Sequence, residues 1–246
     1  MIQAVEPQRL YRQIAERIRA AIAAGDYRPG SRLPAERELA QQLGVSRPSL
    51  REALIALEVE GRIEVRTGSG IYVLEGPGAQ LPPVSLEGGP SPRQTDSPQE
   101  WGPLEVLRAR QVFEVEMAAM AATHARRTDL QAMSRALEQM RHEAAVGQAP
   151  RHGDEAFHLA VAKACGNDVL YDAVCRTWQA RDSALFERLG DYFEQPPAWE
   201  QAINEHDSVY LAICNQDAKA ARRAMQFHLR QAMKRYSASW RRAPSR

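Results

Sequence analysis

One carboxylate and three imidazoles in the second half of the chain have residue types and spacing that suit a metal site. Asp154 and His158 are four residues apart, so on a helix the two side chains share a face. His206 and His228 are separated by 22 residues, which suits two antiparallel helices joined near Gln216. One aspartate and three histidines can bind Zn²⁺, Ni²⁺ or Mn²⁺. The spacing also fits an N-cap role for Asp154 and surface or core roles for the histidines, so it leaves the metal open.

A second set of polar side chains lies near the start of the chain. Arg47 and Arg51 are four residues apart with Ser49 between them, so a helix capped by Ser46 would present two guanidinium groups and a hydroxyl. The major groove of DNA admits one α-helix, and arginine can bind the O6 and N7 atoms of guanine together. A lone arginine pair is more often a solvated helix face. The surrounding elements favour DNA here.

Those elements are a helix-turn-helix. The four-residue repeat of Leu10, Ile14, Ile18 and Ile22 predicts a helix over 9–24. A second helix starts at Pro34 and ends at Gly44, where glycine permits a left-handed turn. The third follows Ser46 with Pro48 in its first turn. Its inward face is expected to carry the leucines Leu50, Leu54 and Leu57.

A hairpin follows the third helix. Short strands are predicted over 62–65 and 71–74, and the tip between them is Thr67, Gly68, Ser69 and Gly70, with Arg66 at its base. Such a hairpin is a wing that can reach a neighbouring groove or the phosphates. We therefore predict a winged helix-turn-helix DNA-binding domain over 1–75.

The composition changes after this domain. Residues 75–100 contain ten Gly or Pro in 26 positions, which predicts a mobile linker over 76–100. From Trp101 the pattern is helical, with breaks near Gly147, Gly166, Pro196 and Gln216. We predict a mainly α protein whose C-terminal domain, 101–240, is an all-α antiparallel bundle of six or seven helices. One long helix is expected over 168–190.

Charge and cysteine content limit the kinds of partner and the cellular compartment that we expect for this protein. The net charge is +1, and residues 1–75 hold 11 Arg and no Lys against 10 acidic residues, so DNA binding depends on where the arginines point. No apolar run could span a bilayer, and the N-terminus lacks a signal sequence. Three cysteines without a CxxC pair favour a reducing cytoplasm. We expect a cytoplasmic protein with no membrane partner.

The stretch PGSRLPAERELAQQLGVSRPSLREAL resembles the winged-helix domain of GntR-type bacterial transcription regulators. The resemblance implies operator contacts for Arg37, Arg47 and Arg51 and a wing tip at Gly68 and its neighbours.

The second half, with DEAFHLAVAKACGN, EH and FHL, resembles the FCD effector domain of the FadR-like subfamily. That resemblance implies a metal held by Asp154, His158, His206 and His228. Arg110 matches an arginine that faces the effector cavity, although an ion pair with Glu114 at i+4 is an equal alternative.

Together these features predict a homodimeric regulator, in the usual case a repressor, that binds a palindromic DNA operator. Its effector would be a small carboxylate, such as a hexuronate, an aldonate or a hydroxy acid, bound at the metal. Two alternatives remain: a regulator whose metal is structural or is itself the signal, and a metal-dependent hydrolase with a DNA-binding tail.

Overall fold

The computed structural model describes residues 9–66, 68–75, 101–193 and 195–237. The predicted linker over 76–100 and the predicted wing residue Thr67 lie outside these ranges. The chain divides into two compact units. One contains the described residues up to Pro103 together with Ala184–Leu189, and the other contains Leu104–Ser183 and Gly190–Tyr236. The grouping of Ala184–Leu189 with the N-terminal residues had no signal in the sequence.

Three helices and a two-stranded sheet build the N-terminal part: α1 (Leu10–Ala24), α2 (Glu36–Leu43), α3 (Arg47–Val59), β1 (Ile63–Arg66) and β2 (Gly70–Val73). The strands pair antiparallel, with Ile63 opposite Val73 and Arg66 opposite Gly70. This is the predicted winged helix-turn-helix, and the boundaries that the sequence predicted lie within two residues of those observed.

The core of this part lies between α1 and α3. Leu50, Leu54 and Leu57 are fully buried, as their spacing predicts. The predicted stripe on α1 is wrong at one end, because Leu10 is 53% exposed while Tyr11 and Ala15 are buried. The buried face therefore follows the 3.6-residue helical period and drifts away from a strict four-residue repeat.

Two local signals fix the turn between α2 and α3. Gly44 has φ 67°, and its N–H caps the carbonyl groups of Ala40 and Gln41. Ser46 is the N-cap of α3, where its side chain accepts a hydrogen bond from the backbone N–H of Ser49. Both features agree with the sequence prediction.

The second half of the described chain is helical throughout. It contains α4 (Pro103–His124), α5 (Arg127–Ala145), α6 (Arg151–Ala164), α7 (Asp168–Gln179), α8 (Ala184–Phe193), α9 (Pro196–Cys214) and α10 (Ala218–Ser237). Its largest core includes Met133, Leu137, Phe157, Val209 and Met225. The mainly α fold class is confirmed.

Some predicted boundaries in this half are wrong. The single helix expected over 168–190 is α7, a short 3-10 helix Ala180–Asp182 and α8. Pro196 starts α9 and does not form a separate turn, because proline is tolerated in the first helical turn. The helix expected to open at Asp154 begins at Arg151, which places Asp154 within its first turn. None of the described helices combines the length and the hydropathy that a membrane-spanning segment needs.

Candidate metal centre and nucleic-acid interface

Four side chains from three helices converge in the C-terminal half. Asp154 and His158 are one turn apart on α6, His206 is on α9 and His228 is on α10. One donor atom from each lies within 4.8 Å of all the others, and the three histidines are buried. The structure therefore brings together all four residues of the predicted metal set.

The distances in this cluster match those of donors around one cation. The Nε2 atom of His206 lies 3.1 Å from Oδ1 of Asp154 and 3.1 Å from Nε2 of His158. The Nε2 atoms of His158 and His228 are 3.3 Å apart. Four ligands about 2.0–2.2 Å from a tetrahedral Zn²⁺ lie about 3.3–3.6 Å from each other. The cluster is close to that size.

The Nδ1 atom of each histidine in the cluster lies close to an oxygen atom of a neighbouring group. Nδ1 of His206 lies 2.6 Å from the carbonyl oxygen of Ala202, and Nδ1 of His228 lies 2.8 Å from Oε2 of Glu205. Nδ1 of His158 lies 2.5 Å from Oε2 of Glu114, in a geometry outside the usual hydrogen-bond range. These partners favour a proton on each Nδ1, which leaves each Nε2 of a neutral ring as an acceptor directed into the cluster.

Burial and charge set the ionisation of these groups. Burial opposes ionisation of Glu114, but the charge of Arg110 and the contact with His158 outweigh it and lower the pKa to about 2. Burial also opposes ionisation of Asp154, yet the contacts with His158, His206 and Arg181 hold its pKa well below its usual value. Both carboxyl groups are therefore anionic at neutral pH.

The environment of His228 favours the neutral form of its side chain. Burial and the neighbouring His206 and His158 rings lower the pKa of His228 well below its usual value. The imidazole is therefore neutral at neutral pH, which is the form that binds a metal ion.

The structure removes one alternative for Asp154. The N-cap position of α6 is Pro150, and Asp154 donates its backbone N–H to the Pro150 carbonyl inside the helix. Its carboxylate contacts Arg181 through Oδ2 at 3.1 Å and the histidines through Oδ1. Asp154 is therefore part of the buried cluster and does not cap the helix.

A cavity adjoins the cluster, and its wall is rich in arginine. The charged residues and candidate metal ligands that line it are Arg110, Arg151, Asp154, Arg181, His228 and Arg235. Leu107, Met140 and Trp199 add apolar surface. Guanidinium groups beside candidate metal ligands suit a small anion, since arginine binds a carboxylate in a planar, two-point geometry.

Two of these arginines are linked to the cluster through glutamates. Arg110 donates to Glu114 at 2.7 Å, and Glu114 contacts His158. Arg235 donates to Glu205 at 3.0 Å, and Glu205 accepts from His228. The alternative ion pair of Arg110 with Glu114 is thus confirmed, while Arg110 also lines the cavity.

Trp178 lies under this wall. Its ring contacts two guanidinium groups, with Cζ of Arg110 4.4 Å and Cζ of Arg181 4.2 Å from its centre. Arg181 lines the cavity, whereas Trp178 is buried and does not line it. Cation–π contacts of this kind hold the guanidinium planes in place.

Sequence reasoning missed Arg151, Glu205 and Arg235. Arg235 follows His228 by seven residues, so helical spacing could have placed it on the same face of α10. Glu205 directly precedes His206 on α9, but its carboxylate contacts the ring of His228 on α10. Spacing along the chain does not reveal a contact between two helices.

The candidate DNA surface is formed by α2, α3 and the wing. Arg37 and Arg47 are exposed, and Arg47 is 46% exposed at its side chain. Arg66 is exposed at the base of the wing, paired with Glu64 at 2.7 Å and stacked over Tyr72. Gly68 has φ 77°, a conformation that glycine adopts without strain.

The expectation that Ser49 and Arg51 are displayed to solvent is wrong. The side chain of Arg51 is 1% exposed, because its Nε and Nη2 atoms donate to the carboxylate of Glu36 at 2.9 and 2.6 Å. Ser49 is buried, and its hydroxyl lies 2.8 Å from that of Ser46, the N-cap. The i, i+4 rule placed Arg51 on the face of Arg47 but could not show that α2 supplies a carboxylate there.

A winged helix-turn-helix and an all-helical domain with a buried Asp/His cluster define a class of DNA-binding transcription regulators. Comparisons with known proteins identify the family within that class. Residues 10–73 match the model of bacterial regulatory proteins of the gntR family, and residues 105–231 match the FCD domain. The chain belongs to the GntR family and carries an FCD domain, and this family comprises transcription regulators, not enzymes.

Two relatives and one solved structure illustrate the similarity. The Uxu operon transcriptional regulator of Escherichia coli (strain K12) is 37% identical over 238 residues, which cover 93% of this chain and 87% of that protein. The Exu regulon transcriptional regulator of the same strain is 35% identical over 229 residues, which cover 91% and 83%. The structure of Streptococcus agalactiae GntR is 25% identical, covers 91% of this chain and 99% of that chain, and has a TM-score of 0.46.

Proposed function

We propose that the protein is a homodimeric transcription regulator, acting as a repressor, that binds a palindromic operator and senses a small carboxylate at a divalent metal in its FCD domain. The observation that carries this proposal is the convergence of four acceptor atoms within 4.8 Å beside an arginine-lined cavity. Two-fold symmetric dimers read palindromic sites because each half-site meets an identical helix.

The metal part of the proposal rests on the chemistry of the acceptors. Nε2 of His206 lies 3.1 Å from Oδ1 of Asp154, and the Nδ1 proton of His206 faces the Ala202 carbonyl. Two buried acceptors at that distance repel unless a cation or a proton lies between them. Asp154, His158, His206 and His228 would hold the cation, and Zn²⁺, Ni²⁺ or Mn²⁺ fits this donor set.

The effector part rests on the cavity wall. A bound divalent cation supplies a Lewis-acidic site for a carboxylate oxygen of the ligand. Arg110, Arg181 and Arg235 would orient the carboxylate and the polar groups of the ligand by hydrogen bonds. This combination favours a sugar acid or another hydroxycarboxylate over an uncharged sugar.

The DNA part rests on α3 and the wing. Arg37 and Arg47 on adjacent helices and Arg66 on the wing are exposed on the part of the molecule that holds the helix-turn-helix. We propose that these residues, with Ser46, Thr67 and Gly68, form the operator surface, in which arginines read base edges or bind phosphates.

Calorimetric titration of sugar acids and hydroxy acids into zinc-loaded and chelator-stripped protein tests the sensing function. We expect one acid to bind the loaded protein and to bind the stripped protein at least tenfold more weakly. Equal binding to both forms would show that the metal is structural. A loaded protein that binds none of these acids while zinc alone changes operator affinity would identify the metal as the signal.

A further inference from the structure

Glu36, the first residue of α2, contacts two of the arginines on the candidate DNA surface. Its Oε1 accepts from Nε of Arg47 at 2.7 Å and from Nη2 of Arg51 at 2.6 Å. Its Oε2 accepts from Nε of Arg51 at 2.9 Å. One carboxylate therefore joins the two arginines that the sequence analysis predicts to contact DNA, of which Arg47 is exposed and Arg51 is buried.

The environment of Glu36 makes this contact restrictive. The Glu36 side chain is only 10% exposed, and that of Arg51 is 1% exposed. Exposed ion pairs exchange partners readily, whereas a buried bidentate pair holds both side chains in one geometry. The contact fixes the plane of the Arg51 guanidinium and the direction in which the Arg47 side chain leaves α3.

The charge of Glu36 has a second consequence. A carboxylate among arginines on a DNA-binding surface repels the phosphates of every duplex, whatever its sequence. Non-specific affinity depends on the number of phosphates that the protein neutralises. Glu36 would therefore lower the attraction for random DNA while it orders Arg47, the exposed arginine of the pair.

We propose that Glu36 is a positioning residue for operator recognition, which raises the ratio of specific to non-specific DNA affinity. The proposal rests on the proposed operator-reading role of α3. Replacing the carboxylate should move the two affinities in opposite directions, whereas a residue needed only for folding would lower both.

The test uses the full-length protein and three variants. A preferred duplex is first selected from a random pool with the wild-type protein, and its binding is compared with that of a shuffled duplex over a range of salt concentrations. In Glu36→Gln, affinity for the selected duplex should fall about tenfold, because the arginines lose their fixed orientation. Affinity for the shuffled duplex should rise, and its log–log salt slope should steepen by up to about 0.9.

Glu36→Asp separates charge from geometry. It keeps the negative charge but shortens the side chain, so it should leave binding to the shuffled duplex unchanged and still weaken binding to the selected one. Glu38→Gln is the matched control, since Glu38 is exposed on the same helix and its contact is with Gln42 at 3.5 Å. It should not weaken selected-duplex binding.

Two results would overturn the proposal. One is that Glu36→Gln binds the selected duplex as tightly as the wild-type protein does. The other is a parallel loss for both duplexes with a lower thermal midpoint, which would assign Glu36 a folding role only. If the wild-type protein enriches no duplex at all, the operator-reading function itself fails, and that outcome is separate from either.

Discussion

Arg47 and Arg51 are the same residue type on the same helix, but their environments differ. Arg47 is half-exposed, and Arg51 is buried against Glu36. Removal of Arg51 would leave the Glu36 carboxylate without a buried partner and would cost stability as well as binding. Arg47 is therefore the better probe of DNA reading, because its loss leaves the buried pair of Glu36 and Arg51 in place.

Arg47→Ala is expected to weaken binding to a selected operator duplex by about 1–3 kcal/mol, the usual value of a specific base contact. Fluorescence anisotropy measures the affinity, and the thermal midpoint should stay within error of wild type. Arg17→Ala, at an exposed position of α1, controls for the loss of one positive charge. Equal effects of the two substitutions would contradict a recognition role for Arg47.

His206 is the residue that α9 contributes to the Asp/His cluster, and its Nε2 atom lies 3.1 Å from both Asp154 and His158. His206→Ala and His206→Gln should both reduce bound zinc after dialysis and abolish the response to the acid, since three ligands bind zinc more weakly than four. Metal content is measured by atomic emission. Binding to the operator without acid should be unchanged.

The control for His206 is His142→Gln, an exposed histidine on α5. This variant should keep full zinc content and the full acid response. Full zinc occupancy in both His206 variants would mean that the ligand set is wrong.

At the scale of elements, the contact between α5 and α6 depends on one glycine, Gly153. A methyl group at Gly153 would lie 2.5 Å from the backbone nitrogen of Met140 and 2.9 Å from the carbonyl oxygen of Ala136. The backbone N–H of Gly153 also donates to the buried carboxylate of Glu143. This close approach of two backbones sets the position of Asp154, the next residue on α6.

Gly153→Ala should destabilise the protein by about 1–3 kcal/mol, because overpacking forces the two helices apart. In an open helix the same substitution would stabilise by about 1 kcal/mol, so the sign is diagnostic. Scanning calorimetry with and without zinc measures both stability and metal binding, and we expect weaker zinc binding. Ala156→Gly, at an exposed position of α6, controls for helix propensity; a stabilised Gly153→Ala would refute the close contact.

At the scale of the whole molecule, the proposed function requires thermodynamic coupling between the acid and the operator. If the acid lowers operator affinity by some factor, the operator must lower acid affinity by the same factor. We expect a coupling of about 1–3 kcal/mol in zinc-loaded protein and none after chelation. Acid titrations with and without a saturating operator duplex measure it.

Two variants check the origin of this coupling. Arg47→Ala should keep acid binding in the absence of DNA, and His206→Gln should keep operator binding in the absence of acid. If acid affinity is identical with and without operator DNA in zinc-loaded protein, the acid is not the signal that controls DNA binding.

The sequence by itself determined the local structure and the identities of the proposed ligands. Capping by Ser46, the left-handed exit at Gly44 and the buried leucines of α3 depend on neighbours within a few residues, so spacing predicts them. The i, i+4 spacing placed Asp154 and His158 on one face. The 22-residue spacing of His206 and His228 suggested two antiparallel helices, and the resemblance to FCD domains assigned all four residues to one metal.

Only the tertiary structure decided which side chains meet across elements. Glu36 reaches Arg51 from another helix, and Glu205 on α9 reaches His228 on α10. These contacts change the exposure of an arginine and the tautomer of a histidine, but they depend on how helices pack and not on local spacing. Spacing along α3 predicted that Arg51 faces solvent, because it carries no information about α2. In the folded chain Glu36 of α2 buries Arg51 in an ion pair.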